Sequence, residues 1–317
     1  MKNKLTLNIL FILLCISIKS QVIKMSFPEF KGKSYDFIIF QGSEQKTVFQ
    51  GVIPEDGKIS LTIPKEYMPY NGMSRWLITG TKEGGGLDMY IPGHDFSVSC
   101  NSKKPNDTNI IFKDNYGNIE LRELSKVQQQ ILDRYQVMLQ AVNIFTTNDP
   151  NYRIFQSEYE NQKRDYDKFQ MSLSKKGGYI SEFIRIVNIT NGIGIKLYDK
   201  EVEKADHISF YIAHNLDWNI LYTSGHWWSI ISAWVNIHTK VLKDESRFVK
   251  EFELISSRLK NEVPYTDFIS RLNYFLKEGG KENYIKEIES IVRDSKNNEN
   301  TSFSKTLTFY KSCLNSL

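Results

Sequence analysis

The spacing of apolar side chains along this chain changes once, from every second residue to every third or fourth, and the change falls at Tyr116. Strands therefore come first and helices follow. In the first part, Lys58-Ile59-Ser60-Leu61-Thr62-Ile63 alternates apolar and polar residues, as a strand with one buried face does. Pro54-Glu55-Asp56-Gly57 just before it has the residues of a tight turn, which predicts a hairpin of Val48–Ile53 with Lys58–Ile63. Tyr35–Phe40 precedes that pair, and Arg75–Thr81 with Leu87–Ile91 forms another, joined through Gly84-Gly85-Gly86. Asp95–Cys100 sets Phe96, Val98 and Cys100 on one face. Residues 22–113 read as an antiparallel β-sandwich.

Beyond Tyr116, Leu121, Leu124, Val127, Ile131, Tyr135, Met138 and Val142 form the stripe of an amphipathic helix. Asp149-Pro150 reads as a cap and first helical residue for a second helix, with Tyr152, Phe155, Tyr159, Tyr166, Phe169 and Leu173 on one face and Gly177-Gly178 at its end. Later stripes run through Phe248, Phe252 and Ile255, through Phe268, Leu272 and Phe275, and through Ile285, Ile288 and Val292. Residues 294–302 are polar, and Phe303, Leu307, Tyr310 and Leu314 mark a last helix. The fold class expected is α+β, an N-terminal antiparallel β-sandwich followed by an all-helical domain. No flexible linker separates the two, so they are expected to dock rigidly.

At the start, Lys2 and Lys4 precede an apolar run from Ile9 to Ile18 that ends in Lys19-Ser20-Gln21, the pattern of an export signal cleaved after Ser20. The divisions are then 1–20 for the signal peptide, 21–115 for the β-sandwich and 116–317 for the helical domain. Export removes Lys2, Lys4 and Lys19 from 41 basic side chains and leaves 38 against 37 acidic ones. A chain so near neutrality lacks the cationic footprint of a nucleic-acid binder. No transmembrane segment is expected in the mature chain. Cys15 leaves with the signal, and Cys100 and Cys313 remain as a possible disulfide in an oxidising compartment.

Trp218, Trp227, Trp228 and Trp234 are concentrated in one short stretch, a candidate recognition surface. At helical spacing Trp227, Ile231, Trp234 and His238 fall on one face, as core residues do, whereas Trp228 falls at its edge. Trp218, His226 and Trp228 are therefore the candidate partner-binding residues. His207, His214, His226 and His238 share this region without the close pair that zinc ligation uses, so no metal or other cofactor is expected. His214 with Asp217, or His226, would have to serve any hydrolase, yet no Gly-x-Ser-x-Gly elbow is present. Gly84-Gly85-Gly86 lacks the Lys-Ser/Thr of a phosphate loop.

The export signal, a β module ending in Tyr90-Ile91-Pro92-Gly93-His94-Asp95-Phe96-Ser97-Val98, and a helical region carrying Asn215-Leu216-Asp217-Trp218 resemble the front half of exported bacterial thioredoxin-like thiol-disulfide oxidoreductases. In that family the β module has no assigned function, and the helical region leads into a thioredoxin domain with Trp-Cys-x-x-Cys. Here no Cys-x-x-Cys occurs, and the residues after Arg293 are too few for such a domain. The resemblance thus implies an exported, non-catalytic accessory or binding module of the periplasm or cell envelope, taking a protein partner or envelope ligand. It is equally compatible with a degenerate relative that has lost its catalytic end. Two alternatives stand beside it: a thiol-redox participant using Cys100 and Cys313 with a separate thioredoxin-like partner, and an envelope hydrolase.

Overall fold

A computed structural model describes residues 21–82 and 84–294, so the expected signal peptide, the polar 294–302 stretch beyond Asp294, the last helix and Cys313 lie outside the described residues. The fold is α+β, with strands first and helices after. One four-stranded sheet has the order β4-β1-β7-β8, from β1 (Val22–Ser26), β4 (Lys58–Thr62), β7 (Phe96–Ser99) and β8 (Ile111–Lys113). The second has the order β3-β2-β5-β6, from β2 (Ser34–Gln41), β3 (Glu44–Val52), β5 (Asn71–Thr79) and β6 (Gly86–Pro92). Ile23, Met25, Leu61, Phe96 and Val98 of the first sheet meet Phe37, Ile39, Trp76, Met89 and Ile91 of the second in one buried cluster. The alternation in each strand turns these side chains inward.

Two expectations about pairing are corrected. The Pro54–Gly57 turn forms, with Gly57 N–H donating to Pro54 O at 2.9 Å, but it carries the chain from one sheet to the other. β3 pairs with β2 and β4 with β1, so no hairpin joins β3 to β4. A period of two reports a buried face and is silent about which strand lies alongside. The sandwich is also not wholly antiparallel, because β1 runs parallel to β7, with Ile23 opposite Phe96 and Met25 opposite Val98.

The helices are α1 (Tyr116–Ile144), α2 (Tyr152–Lys176), α3 (Gly178–Thr190), α4 (Glu201–His214), α5 (Trp218–Tyr222), α6 (Trp227–Asn236), α7 (Glu245–Arg258), α8 (Glu262–Glu278) and α9 (Glu282–Asp294). A π-helical turn, Ile237–Leu242, extends α6. α2 starts beyond Pro150, with Asn151 in the cap position. Asp149 instead accepts from Thr146 N and Oγ1 at 2.6 and 2.9 Å, closing the preceding turn. None of the helices among the described residues is long and apolar enough to cross a membrane.

The second sheet is buried on both faces. Its outer side chains Ile38, Phe40, Met73 and Tyr90 pack with Phe169 and Leu173 of α2 and with Ile180, Phe183 and Ile184 of α3. Backbone bonds cross the same seam, from Gly42 N to Tyr222 O at 2.7 Å and from Met73 N to Thr223 O at 2.9 Å. Asn118 on α1 clasps Tyr90, its Oδ1 accepting from Tyr90 N at 2.9 Å and its Nδ2 donating to Tyr90 O at 2.8 Å. Behind this seam a second core gathers Trp218, Trp227, Trp234, Phe248, Phe252, Phe268 and Leu272 from α5 to α8.

The seam leaves no room at Gly117, where an added Cβ falls 2.4 Å from Cδ1 of Tyr90. Alanine ordinarily favours a helix over glycine by ~1 kcal/mol. Overlap with a buried, doubly clasped tyrosine outweighs that gain, at ~1–3 kcal/mol for overpacking. Gly117→Ala should therefore lower the urea midpoint; an unchanged or raised midpoint would show that the contact yields freely.

Candidate functional site

Of Trp218, His226 and Trp228, only Trp228 is exposed. Trp218 is 5% exposed and packs edge-on to Trp227 and Phe268, with ring centres 5.5 and 5.4 Å away. His226 lies 5.6 Å from the Phe183 ring at the sheet–helix seam, and burial lowers its pKa, which favours the neutral ring. Trp228 is 39% exposed, backed by Tyr274 and Phe275, with the Arg271 guanidinium 4.9 Å over its ring. Its outward face is thus partly covered by a cation of the same chain.

The residues considered for hydrolysis are engaged with other partners. His214 stacks on Phe210 at 4.0 Å, and Asp217 caps α5 by accepting from Asn219 N and Ile220 N. Neither is placed to take a proton from a nucleophile. Cys100 is 2% exposed, with Sγ 3.3 Å from Asn109 Oδ1. Its possible partner, Cys313, is outside the described residues.

A serine, a histidine and a carboxylate do meet elsewhere. Ser209 of α4, His238 of the π-helical turn and Glu251 of α7 converge inside the helical core, with side chains from 0 to 6% exposed for His238 and Glu251. Ser209 Oγ donates to Glu251 Oε2 at 2.6 Å and lies 2.7 Å from His238 Nε2. Glu251 Oε2 also lies 3.0 Å from that same Nε2, while His238 Nδ1 has no partner. A catalytic triad divides its partners between the two ring nitrogens. Here both crowd one nitrogen, out of reach of solvent, and the group knits α4, α6 and α7 together. Trp234 Nε1 and Arg247 Nε complete the set, donating to Glu251 at 3.0 and 2.8 Å.

An open concavity with convergent polar groups lies at the far ends of α1 and α2, closed by the 191–199 connection, and has a volume of about 740 Å³. Its walls include Tyr135, Tyr152, Tyr159 and Tyr198, with Gln136, Asn143, Gln156 and Asn191 among them. Tyr135 stacks on Tyr159 at 5.3 Å, and the Tyr159 hydroxyl donates to Asp199. Lys163 Nζ reaches both Asp199 oxygens, at 3.1 and 3.0 Å. Burial alone would raise the Asp199 pKa, but the bonds from Tyr159 and Lys163 prevail and lower it, so the carboxylate is a fixed acceptor.

The floor is fixed from behind. Tyr166 OH donates to Gly194 O at 2.8 Å, and Asn188 Nδ2 reaches Tyr166 OH at 3.1 Å and Gln128 Oε1 at 2.9 Å. Gly192, at φ +69°, lets the chain leave α3 and turn over the cleft. Lys196 Nζ sits 5.5 Å over the Tyr198 ring, which also packs against His207 at 5.2 Å. Sequence reading treats Tyr135, Tyr152 and Tyr159 as packing stripe and passes over Lys196, Tyr198 and Asp199. The available signal was the use of tyrosine, rather than leucine, in that stripe.

No group of three or more His, Cys, Asp and Glu side chains among the described residues is placed to hold a metal ion. No protein-family model, curated protein or solved structure matches this chain.

Glu251 also sets a pH dependence. Burial raises its pKa, yet hydrogen bonds from His238, Ser209, Arg247 and Trp234 more than offset this and hold it down to about 2 from 4.5. A carboxyl depressed on folding stabilises the native state above its unfolded pKa, and that contribution is lost as pH falls from 4.5 toward 2. Its size is on the order of 3 kcal/mol. Urea unfolding between pH 7 and 2 should show Glu251→Gln less stable than wild type by that order at pH 7, the gap closing toward pH 2. A gap independent of pH would contradict the assignment.

Proposed function

We propose that this chain is an exported, non-catalytic binding module of the cell envelope, accessory to the thioredoxin-like oxidoreductases whose front half it resembles, which holds its ligand in the tyrosine-lined cleft. The cleft carries this reading, being concave, about 740 Å³ and lined largely by polar groups, within the ~300–1,000 Å³ usual for ligand sites. Lys2, Lys4 and the Ile9–Ile18 run support export. The lack of an accessible nucleophile–base pair at Ser209, His214 or His226 supports binding without chemistry. With only Trp228 exposed among Trp218, His226 and Trp228, the expected contact moves away from the tryptophans and onto α1, α2 and the 191–199 connection.

Deuterium uptake measured with and without the small-molecule fraction of an envelope extract tests this directly. Peptides covering 135–143, 152–160 and 191–199 should slow their exchange, while those covering Trp228 and α8 stay unchanged. Protection at Trp228 alone would relocate the site and overturn the assignment, and no protection anywhere would remove the binding reading. A fluorophosphonate should leave Ser209 of the folded protein unmodified; labelling there would reopen hydrolysis.

A further inference from the structure

Three features of the cleft limit what fits it. Asp199 is already bonded to Lys163, which leaves Lys196 and Lys204 facing Glu160 on the wall. Glu201 and Glu203 occupy the first turn of α4 beside Lys204, where they oppose an anion. A phosphorylated ligand or a cation therefore finds no surplus of opposite charge. Most of the wall is polar, which excludes a lipid or other apolar molecule. The walls are helices and a connecting segment, with no strand edge for an extended peptide to join.

What remains is a neutral ligand with both flat apolar faces and many hydroxyls. The ring of Tyr152 is half-buried, offering a face for a C–H surface, and tyrosine combines such a face with a polar tip, whereas Lys196 and His207 already lie against the Tyr198 ring. Gln136, Asn143 and Asn191 present planar amides, each able to donate and accept at once, which matches a pair of neighbouring hydroxyls, while the Gln156 amide already accepts from Tyr152 OH and donates to Glu160. Resting on the binding reading above, we propose that the cleft between α1, α2 and the 191–199 connection binds a neutral oligosaccharide, a sugar face on Tyr152 and its hydroxyls on the surrounding amides of Gln136, Asn143 and Asn191.

Native gel electrophoresis of residues 21–317 in gels containing laminarin, galactomannan, xyloglucan or dextran tests this. At least one polysaccharide should retard the wild-type protein. Tyr152→Ala should weaken that retardation tenfold or more in apparent Kd, as should Gln136→Ala with Asn191→Ala, two exposed positions whose change leaves folding intact by circular dichroism. Trp228→Ala should bind as wild type. Retardation by none of the four, or retardation untouched by both cleft variants, would overturn the proposal. Protection of the cleft by the envelope fraction together with no polysaccharide binding would remove the sugar and leave the binding module, whereas failure of both measurements would remove both.

Discussion

A β-sheet buried on both faces is the constraint on which the rest of this structure depends. In β2, Phe37 and Ile39 point into the sandwich while Ile38 and Phe40 point out of it, and all four are nearly inaccessible. Each such side chain is worth ~1.5–3 kcal/mol when removed from water. The first sheet satisfies only the inner face. The outer face needs α2 and α3, and the Asn118 clasp on Tyr90 sets the direction in which α1 leaves. Tyr135 then stands ~25 Å along α1 from Asn118. The cleft at the far end of the α1–α2 pair is thereby held by packing that begins on the sheet.

How much of this was legible varied with the kind of signal. The switch from strands to helices at Tyr116 follows from apolar spacing alone, and β2, β5 and β6 lie where alternation and turns place them. The unbroken run Phe37-Ile38-Ile39-Phe40 also carries the sign of a strand covered on both sides. Pairing was less accessible, since the turn at Pro54–Gly57 forms locally while its flanking strands enter different sheets. The parallel contact of β1 with β7 joins segments far apart in sequence, and no local pattern encodes it.

The functional surface was harder still. Tryptophan concentration between Trp218 and Trp234 reflects one crowded seam of the helical core, where Trp227 and Trp234 are almost completely buried. Ser209, His238 and Glu251 come from three separate helical segments, and only their burial and their shared use of one ring nitrogen distinguish a structural knot from a catalytic group. At the cleft, Tyr135 and Tyr159 occupy positions that a simple packing stripe would also use, and Asp199, the partner that gives them polar meaning and that Lys163 one turn along α2 also holds, lies on a different segment. Spacing identifies a face, whereas chemistry depends on what the fold brings against it.

If the two-faced sheet holds the molecule together, sandwich and helical core must open as one unit. Hydrogen exchange by mass spectrometry in rising urea reads the two separately, from peptides of β5 and of α6. The expected result is a common opening free energy and the same urea dependence for both. Exchange of β5 at markedly lower urea than α6, or the reverse, would show two independent bodies and contradict the dependence of the cleft on the sheet.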